Sequence, residues 1–550
     1  MRASFAVLLL CVPAGCRDAI DDGSGSASSS PASSWFDAHP APPDVKVTCG
    51  DPAATTIPDS IGGGVGLFDA DGDGDLDVLV IDPGPYPGDP GHGGHNRLFS
   101  NKGGRFADVT PTSGVDVGGF SCGLAIADVD SDGDRDIFLT RFGPNVLLEN
   151  VGDLRFEPTP DAGGAAGDDW STSAVFVDLD LDGDLDLYVA NYVVFDSSHP
   201  PMHGVGGRTC LWREQVVYCG PQGLDAPSDR YYRNDDGRFV DTTEAAGFVT
   251  TPAFALGAID GDFDQNGWPD VYVTNDSTPN SLFMNRGDGT VEEKGVLSGA
   301  ALSASGREQA GMGLGAGDVN GDGLEDLFVT NFSNDENSLY ISEGDGWFRD
   351  EALRVGLGVS SRTLLGWGAA LIDVDLDGDL DAVALNGHVY PQADAAGTDT
   401  TYAQADRLWL NDGTGHFTLT PWPGDAPLVS RTLAVGDLDG DWVPDLFVLP
   451  LEGRPWIWRG QAPQERALSV VIDGPPGRVD GEGTEIVYES AGGKQFRRVR
   501  SSGGFQSASD PSPVFAWTGV GQLRLTFPGG ATKTVDVDKA GVVRIDGGGS

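Results

Sequence analysis

Asp178, Asp180, Asp182, Gly183 and Asp186 stand at positions 1, 3, 5, 6 and 9 of one short stretch, and an apolar run, 187–190, follows at once. Alternate residues of a tight loop converge on one point, and carboxylates crowded there need a cation. Hard oxygen donors at this spacing suit calcium, and glycine lets the loop turn sharply. The pattern occurs seven times. The other loops carry Asp69, Asp71, Asp73 and Asp77; Asp128, Asp130, Asp132 and Asp136; Asp262, Asp264, Asn266 and Asp270; Asp318, Asn320, Asp322 and Asp326; Asp373, Asp375, Asp377 and Asp381; and Asp437, Asp439, Asp441 and Asp445. Asparagine keeps an oxygen donor. The seventh loop stands apart, with Trp442 in the place of glycine.

An EF-hand needs a bidentate Glu at position 12, on a following helix. Here that position holds Val80, Leu139, Val189, Val273, Val329, Ala384 and Val448. Each loop leads instead into a short strand that is apolar on both faces, as in sheets stacked between neighbours. A strand rich in small residues precedes each loop, 311–317 being one. A third segment follows, such as 96–101, 145–150, 280–285 or 406–411, then a fourth that carries Phe, as in 104–110 and 237–242. Four short strands recurring seven times predict an all-β chain, a seven-bladed β-propeller over 44–462. The last repeat lacks its fourth strand after 456–458, and 45–48 is expected to fill the gap.

The chain has 550 residues and a net charge of −50, which even seven divalent ions leave acidic. Nucleic acid is excluded as a partner, because phosphate binding needs a basic face. Residues 1–16 read as a secretory signal, with Arg2, an apolar core and a small-residue end at Cys16. Cleavage there leaves Cys16 either lipidated, as a membrane anchor, or released by ordinary signal peptidase. Residues 17–43, rich in Ser and Gly, read as a flexible tether. Export fits the cysteines. Cys210 and Cys219, inside an insertion at 192–229, are expected to pair; Cys49 and Cys122 remain, as a second disulfide or as two buried thiols.

The repeats resemble the FG-GAP/VCBS repeats of integrin α-chain propellers. With the signal and the insertion Cys210-Leu211-Trp212…Tyr218-Cys219-Gly220-Pro221, the order is similar to the cartilage acidic protein family and its bacterial relatives. Residues 466–546 resemble the ASPIC/UnbV domain that ends those proteins, through 480–487, 493–499, 503–507 and 523–530; Phe527 stands where that family usually has Trp. Pattern alone makes this tail a small antiparallel β domain. Its Arg497, Arg498 and Arg500 meet either an acidic partner, the propeller among them, or solvent.

In a blade the aspartate loop joins strands 1 and 2, and the loop joining strands 2 and 3 lies on the opposite face. There Asn191, Asn275, Asn331 and Asn386 end the second strands, with His92, His95, His199, His203 and His388 nearby. These residues form either a ligand or transition-metal face, or turn supports and exposed loop histidines. Two functions remain. One is a non-enzymatic, calcium-stabilised extracellular binding or adhesion module for a surface or matrix protein or glycan. The other is a carbohydrate-active hydrolase or lyase using the axial face, although no GxSxG, HExxH or Walker motif is present.

Overall fold

The computed structural model describes residues 35–41, 45–49, 56–84, 94–249, 251–422, 424 and 426–547. The signal with Cys16, tether residues 17–34 and 42–43, and His92 lie outside them. Strands alternate with the aspartate loops in seven sheets, here called blades and numbered by their loops, each with four antiparallel strands; the first gains a fifth, parallel strand from the tail, Ser507–Ala508. Blade one is Val65–Phe68, Asp77–Val80, Arg97–Asn101 and Phe106–Asp108. Each innermost strand lies against the innermost strands of both neighbouring blades, the first against the seventh, so the ring is closed.

The seventh blade takes its outer strand from the other end of the chain. Phe36–Pro40 pairs antiparallel with Trp456–Gly460, Phe36 opposite Gly460. The expected 45–48 does not do this; Val47–Thr48 pairs only with Glu452–Gly453, beyond the blade. Part of the expected tether is therefore a propeller strand. It buries Phe36 among Leu408, Leu446 and Trp458, whereas Val47 is committed to a different apolar cluster, with Val65 and Leu67, and Thr48 is exposed.

The second strands are buried on both faces, Ile137, Phe138 and Leu139 each being fully enclosed. Apolar burial between blades is non-directional, so register comes from two sets of side-chain hydrogen bonds. Near the loops, the Asn that ends the third strand donates to a carbonyl of the preceding blade: Asn101 to Leu438 (3.1 Å), Asn150 to Ala70 (3.1 Å), Asn234 to Val129 (3.1 Å), Asn285 to Leu179 (2.7 Å) and Asn411 to Val319 (2.7 Å). Toward the other mouth, Thr140, Thr172, Thr274, Thr330 and Thr432 donate to carbonyls of the next blade.

The insertion crosses the mouth where the inner strands begin. Its hairpin, Leu211–Trp212 with Gln215–Val216, is clamped by the Cys210–Cys219 disulfide. Cys49 and Cys122 are separate buried thiols, so the second disulfide does not form. Each has its own partners. The Cys49 thiol accepts from Gly62 N (3.3 Å) and donates to Pro58 O (3.5 Å); that of Cys122 accepts from Trp170 Nε1 (3.3 Å).

The C-terminal domain has its own core, built on Leu468, Val470, Ile486, Tyr488, Phe515, Leu523 and Leu525. Its larger sheet is antiparallel as expected, but Ala467–Asp473 runs parallel to Gly541–Asp546. The domain stands on the aspartate-loop face. Arg498 reaches Asp260 (3.4 Å) and Glu485 (3.1 Å), Arg500 reaches Glu325 (2.7 Å), and Arg497 lies 4.0 Å from Asp373. Of the two readings of this arginine cluster, the acidic propeller face is the one observed.

From this domain the segment 499–512 enters the propeller axis. Phe176 N donates to Ser502 Oγ (2.9 Å), Gln506 N to Ser173 Oγ (3.0 Å) and Val435 N to Ser509 Oγ (3.1 Å). Gly504 exchanges backbone bonds with Ala258, and Ser507–Ala508 pairs parallel with Val65–Gly66. The small residues of the inner strands thus make room for a plug as well as for one another. A Cβ on Gly64 would stand 2.6 Å from Gln506 O, and one on Gly123 2.9 Å from Gln506 Cα.

Asn150→Ala strands the Ala70 and Arg135 carbonyls that the side chain serves. The expected cost is about 1–3 kcal/mol, measured as a lower denaturant midpoint at unchanged m-value.

Candidate functional site

All seven aspartate loops are built the same way. The position 1 carboxylate accepts from the backbone N–H of position 6 at 2.7–3.2 Å and from that of position 5 at 3.0–3.2 Å. Position 6 is left-handed throughout, which glycine adopts freely; Trp442 nevertheless takes φ +67° and makes the same bond to Asp437. The seventh loop therefore keeps the common backbone. Position 4 is left-handed too, at Gly72, Gly321 and Gly440 but also at Ser131, Leu181, Gln265 and Leu376, whose residue types carry no signal for it.

The position 9 aspartate ties the loop to the sheet. One oxygen accepts from position 2 at 2.8–3.1 Å. The other accepts from the third strand at 2.7–2.9 Å. These bonds hold the carboxylates together against their repulsion. Oxygens of Asp69, Asp71 and Asp77 lie within 4.8 Å of one another, as do those of Asp128, Asp130 and Asp136, of Asp178, Asp180 and Asp182, of Asp262, Asp264 and Asp270, and of Asp373, Asp375 and Asp381. Burial, with neighbouring loop carboxylates adding to it, pushes Asp77, Asp186 and Asp445 up to about 7, Asp136 to about 8 and Asp381 to about 9. Asp180 Oδ1 and Asp375 Oδ1, both at position 3, are buried and accept no hydrogen bond. Convergent hard oxygens, two of them orphaned, fit a divalent cation.

The opposite mouth is different in kind. Asn191, Asn275, Asn331 and Asn386 are buried and brace the second-to-third connections, donating to the carbonyls of Ser228 (2.9 Å), Pro279 (2.7 Å), Glu336 (2.9 Å) and Ala405 (3.2 Å). The histidines have separate partners. His95 meets Asp116 (3.0 Å), His199 meets Asp196 (3.0 Å), and His203 Nδ1 accepts from Cys210 N (3.0 Å). Burial first, then the charges of Arg431 and Arg213, holds His388 down at about 3; its Nδ1 accepts from Tyr390 N (3.0 Å) and its ring lies 4.5 Å from Trp212. The asparagines act as turn supports and His95, His199 and His203 are exposed, whereas His388 is buried rather than an exposed loop residue.

What the mouth does hold is a cavity of about 610 Å³, walled by Tyr192, Trp212, Tyr218, Phe332, Trp367 and Tyr390 with Asp276, Gln309 and Asp335 among them. Below it the wholly buried Arg431 lies 4.3 Å from the Trp367 ring and donates to the carbonyls of Ser60, Gly387 and Ser430. Sequence reasoning missed these residues. Their one signal was the irregular interval that carries Trp212 and Tyr218 between the paired cysteines.

Four stretches match the FG-GAP-like repeat, residues 69–139, 128–189, 262–329 and 318–384. Each runs from position 1 of one aspartate loop to position 12 of the next. No curated protein matches the chain in sequence. Solved structures similar to it include an Agrocybe aegerita lectin described as recognising non-reducing terminal N-acetylglucosamine (14% identity, 81% of this chain and 93% of that one, TM-score 0.40). The BP39L lectin from Burkholderia pseudomallei (12%, 73% and 98%, 0.45) and YCF48 bound to D1 peptide (9%, 79% and 100%, 0.42) are also similar. The ring of sheets and the repeat matches define the class, an all-β propeller carrying FG-GAP-like repeats.

Gln265 is exposed at φ +60°. Gln265→Gly is expected to stabilise the protein by about 0.5–1 kcal/mol, because a left-handed residue with a Cβ is strained. Thermal denaturation reads the gain.

Proposed function

We propose that this chain is an exported, calcium-stabilised binding module, non-enzymatic, that takes its ligand in the aromatic mouth opposite the aspartate loops. The observation that carries the calcium reading is the orphaned pair Asp180 Oδ1 and Asp375 Oδ1 within converging carboxylates. Positions 1, 3, 5 and 9 of the loops would hold the ion, with Asn266 and Asn320 replacing one aspartate each. When bound, calcium neutralises the cluster and fixes the turn. Extracellular sites of this kind bind at roughly 10⁻⁴–10⁻³ M.

Binding rather than catalysis is supported by what two acids of the mouth, Asp276 and Asp335, already do. Asp276 accepts from Tyr192 (2.7 Å) and Ser277 (2.8 Å), and Asp335 lies 3.6 Å from Arg307. The aromatic rings offer flat faces that suit a glycan or an extended peptide on a surface or matrix partner. Export is supported by the leader-like residues 1–16 and by the Cys210–Cys219 disulfide, which belongs in an oxidising compartment. An acylated Cys16 would supply the membrane tether. No helix among the described residues is long and apolar enough to cross a bilayer.

Chelation of the purified full chain is expected to lower its melting temperature and protease resistance, and added calcium to restore both. A free concentration ten times the Kd contributes about 1.4 kcal/mol per site. A chelator without effect overturns the calcium reading. For the mouth, calcium-loaded wild type should capture a saturable partner from glycan arrays or envelope and matrix fractions, and Trp212→Ala should lose it at unchanged melting temperature. Equal capture by Trp212→Ala places the ligand elsewhere.

A further inference from the structure

The seven loops share one backbone but not one charge environment. In six blades the residue just before the third-strand N–H that serves position 9 is Ser100, Glu149, Arg233, Met284, Ile341 or Leu410. Arg233 turns outward, to Asp235 (2.8 Å). In blade seven the equivalent residue is Arg459, and it turns inward. Its Nη1 stands 2.7 Å from Asp445 Oδ2 and 3.2 Å from Asp439 Oδ2, bridging positions 9 and 3 of the loop. The arginine side chain is 12% exposed and that of Asp445 1%. Blade one covers it with the turn at Gly104, where a Cβ would stand 3.3 Å from Arg459 Nη2.

Other cations touch aspartate loops without bridging them. Arg478 and Arg497 each meet a position 1 carboxylate, Asp178 and Asp373, while Lys102 reaches Asp73 (3.5 Å) from solvent. Arg459 alone of these joins positions 3 and 9, two of the four side chains that an ion would draw together.

We propose that Arg459 takes the place of the metal ion in the seventh loop, so that the blade closing the ring holds its loop without a cation. This rests on the calcium reading of the other six. A guanidinium carries N–H donors directed at both carboxylates and a fixed positive charge, and a divalent ion entering beside it would meet like charge at contact distance. The placement has a purpose. Arg459 lies on the strand that pairs with the N-terminal strand, opposite Asp37, so closure of the ring is separated from cation supply.

The test counts calcium per chain after equilibrium dialysis of the full-length protein, by atomic emission. Asp262→Asn, in loop four, is expected to lower the count by one. Asp437→Asn is expected to leave it unchanged, and Arg459→Gln to raise it by one. A count that falls with Asp437→Asn as it does with Asp262→Asn overturns the proposal, and so does an unchanged count in a folded Arg459→Gln. If that variant does not fold, the Asp437→Asn comparison decides. Wild type that binds no calcium at millimolar concentration overturns the calcium reading itself and this inference with it, whereas calcium bound with the wrong response to Asp437→Asn overturns this inference alone.

Discussion

Carboxylates held a few ångströms apart are the constraint from which most of this molecule follows. The position 9 aspartate cannot move aside, because its two oxygens join the loop to the third strand. Each blade therefore concentrates negative charge at one rim. The chain answers in two ways. It arranges the oxygens so that a cation can be held, and it sets the arginines of its own tail against the same face, at Asp178, Asp260, Glu325 and Asp373. A domain that looks separable by pattern is the counter-surface of the ring.

The tail also joins the two faces. Phe505, carried down the axis by 499–512, lies 5.2 Å from the Trp367 ring, and Trp367 lines the aromatic mouth. The aromatic mouth and the arginines on the far rim are thus linked through one continuous packed segment. Tight interiors transmit displacement well, so the faces are not mechanically independent.

The fold was legible because each repeat states its chemistry locally. Asp at positions 1 and 9, a valine-rich strand and an Asn ending the third strand recur at fixed spacing, and periodic signals survive without tertiary knowledge. The role of that Asn was not legible, since its acceptor lies in another blade. Leu181 and Leu376 gave no hint of left-handed backbone, which the loop's hydrogen bonds impose on them against their preference. The mouth was read from asparagines and histidines because those residue types bind ligands. The Asn275 amide nitrogen instead serves Pro279, and His388 Nδ1 serves Tyr390, while Trp212 and Tyr218 of the aromatic wall come from an insertion outside any repeat. Phe36–Pro40 was hidden by the Ser/Gly-rich stretch beside it, and the closing pair spans more than four hundred residues of sequence.

That closing pair has a consequence for the newborn chain. Strands 36–40 and 456–460 are the first and nearly the last pieces of the propeller to be synthesised. Until the second emerges, six blades stand as an open arc with an uncovered apolar face at each end and strand 36–40 without its partner, and such surfaces invite association with other chains. The axial segment comes later still and enters a channel whose wall is only then complete. Assembly order is written into the strand order, and long-range pairing of this kind is slow to form. The protein must be kept from its neighbours for longest at the moment when it is nearly finished.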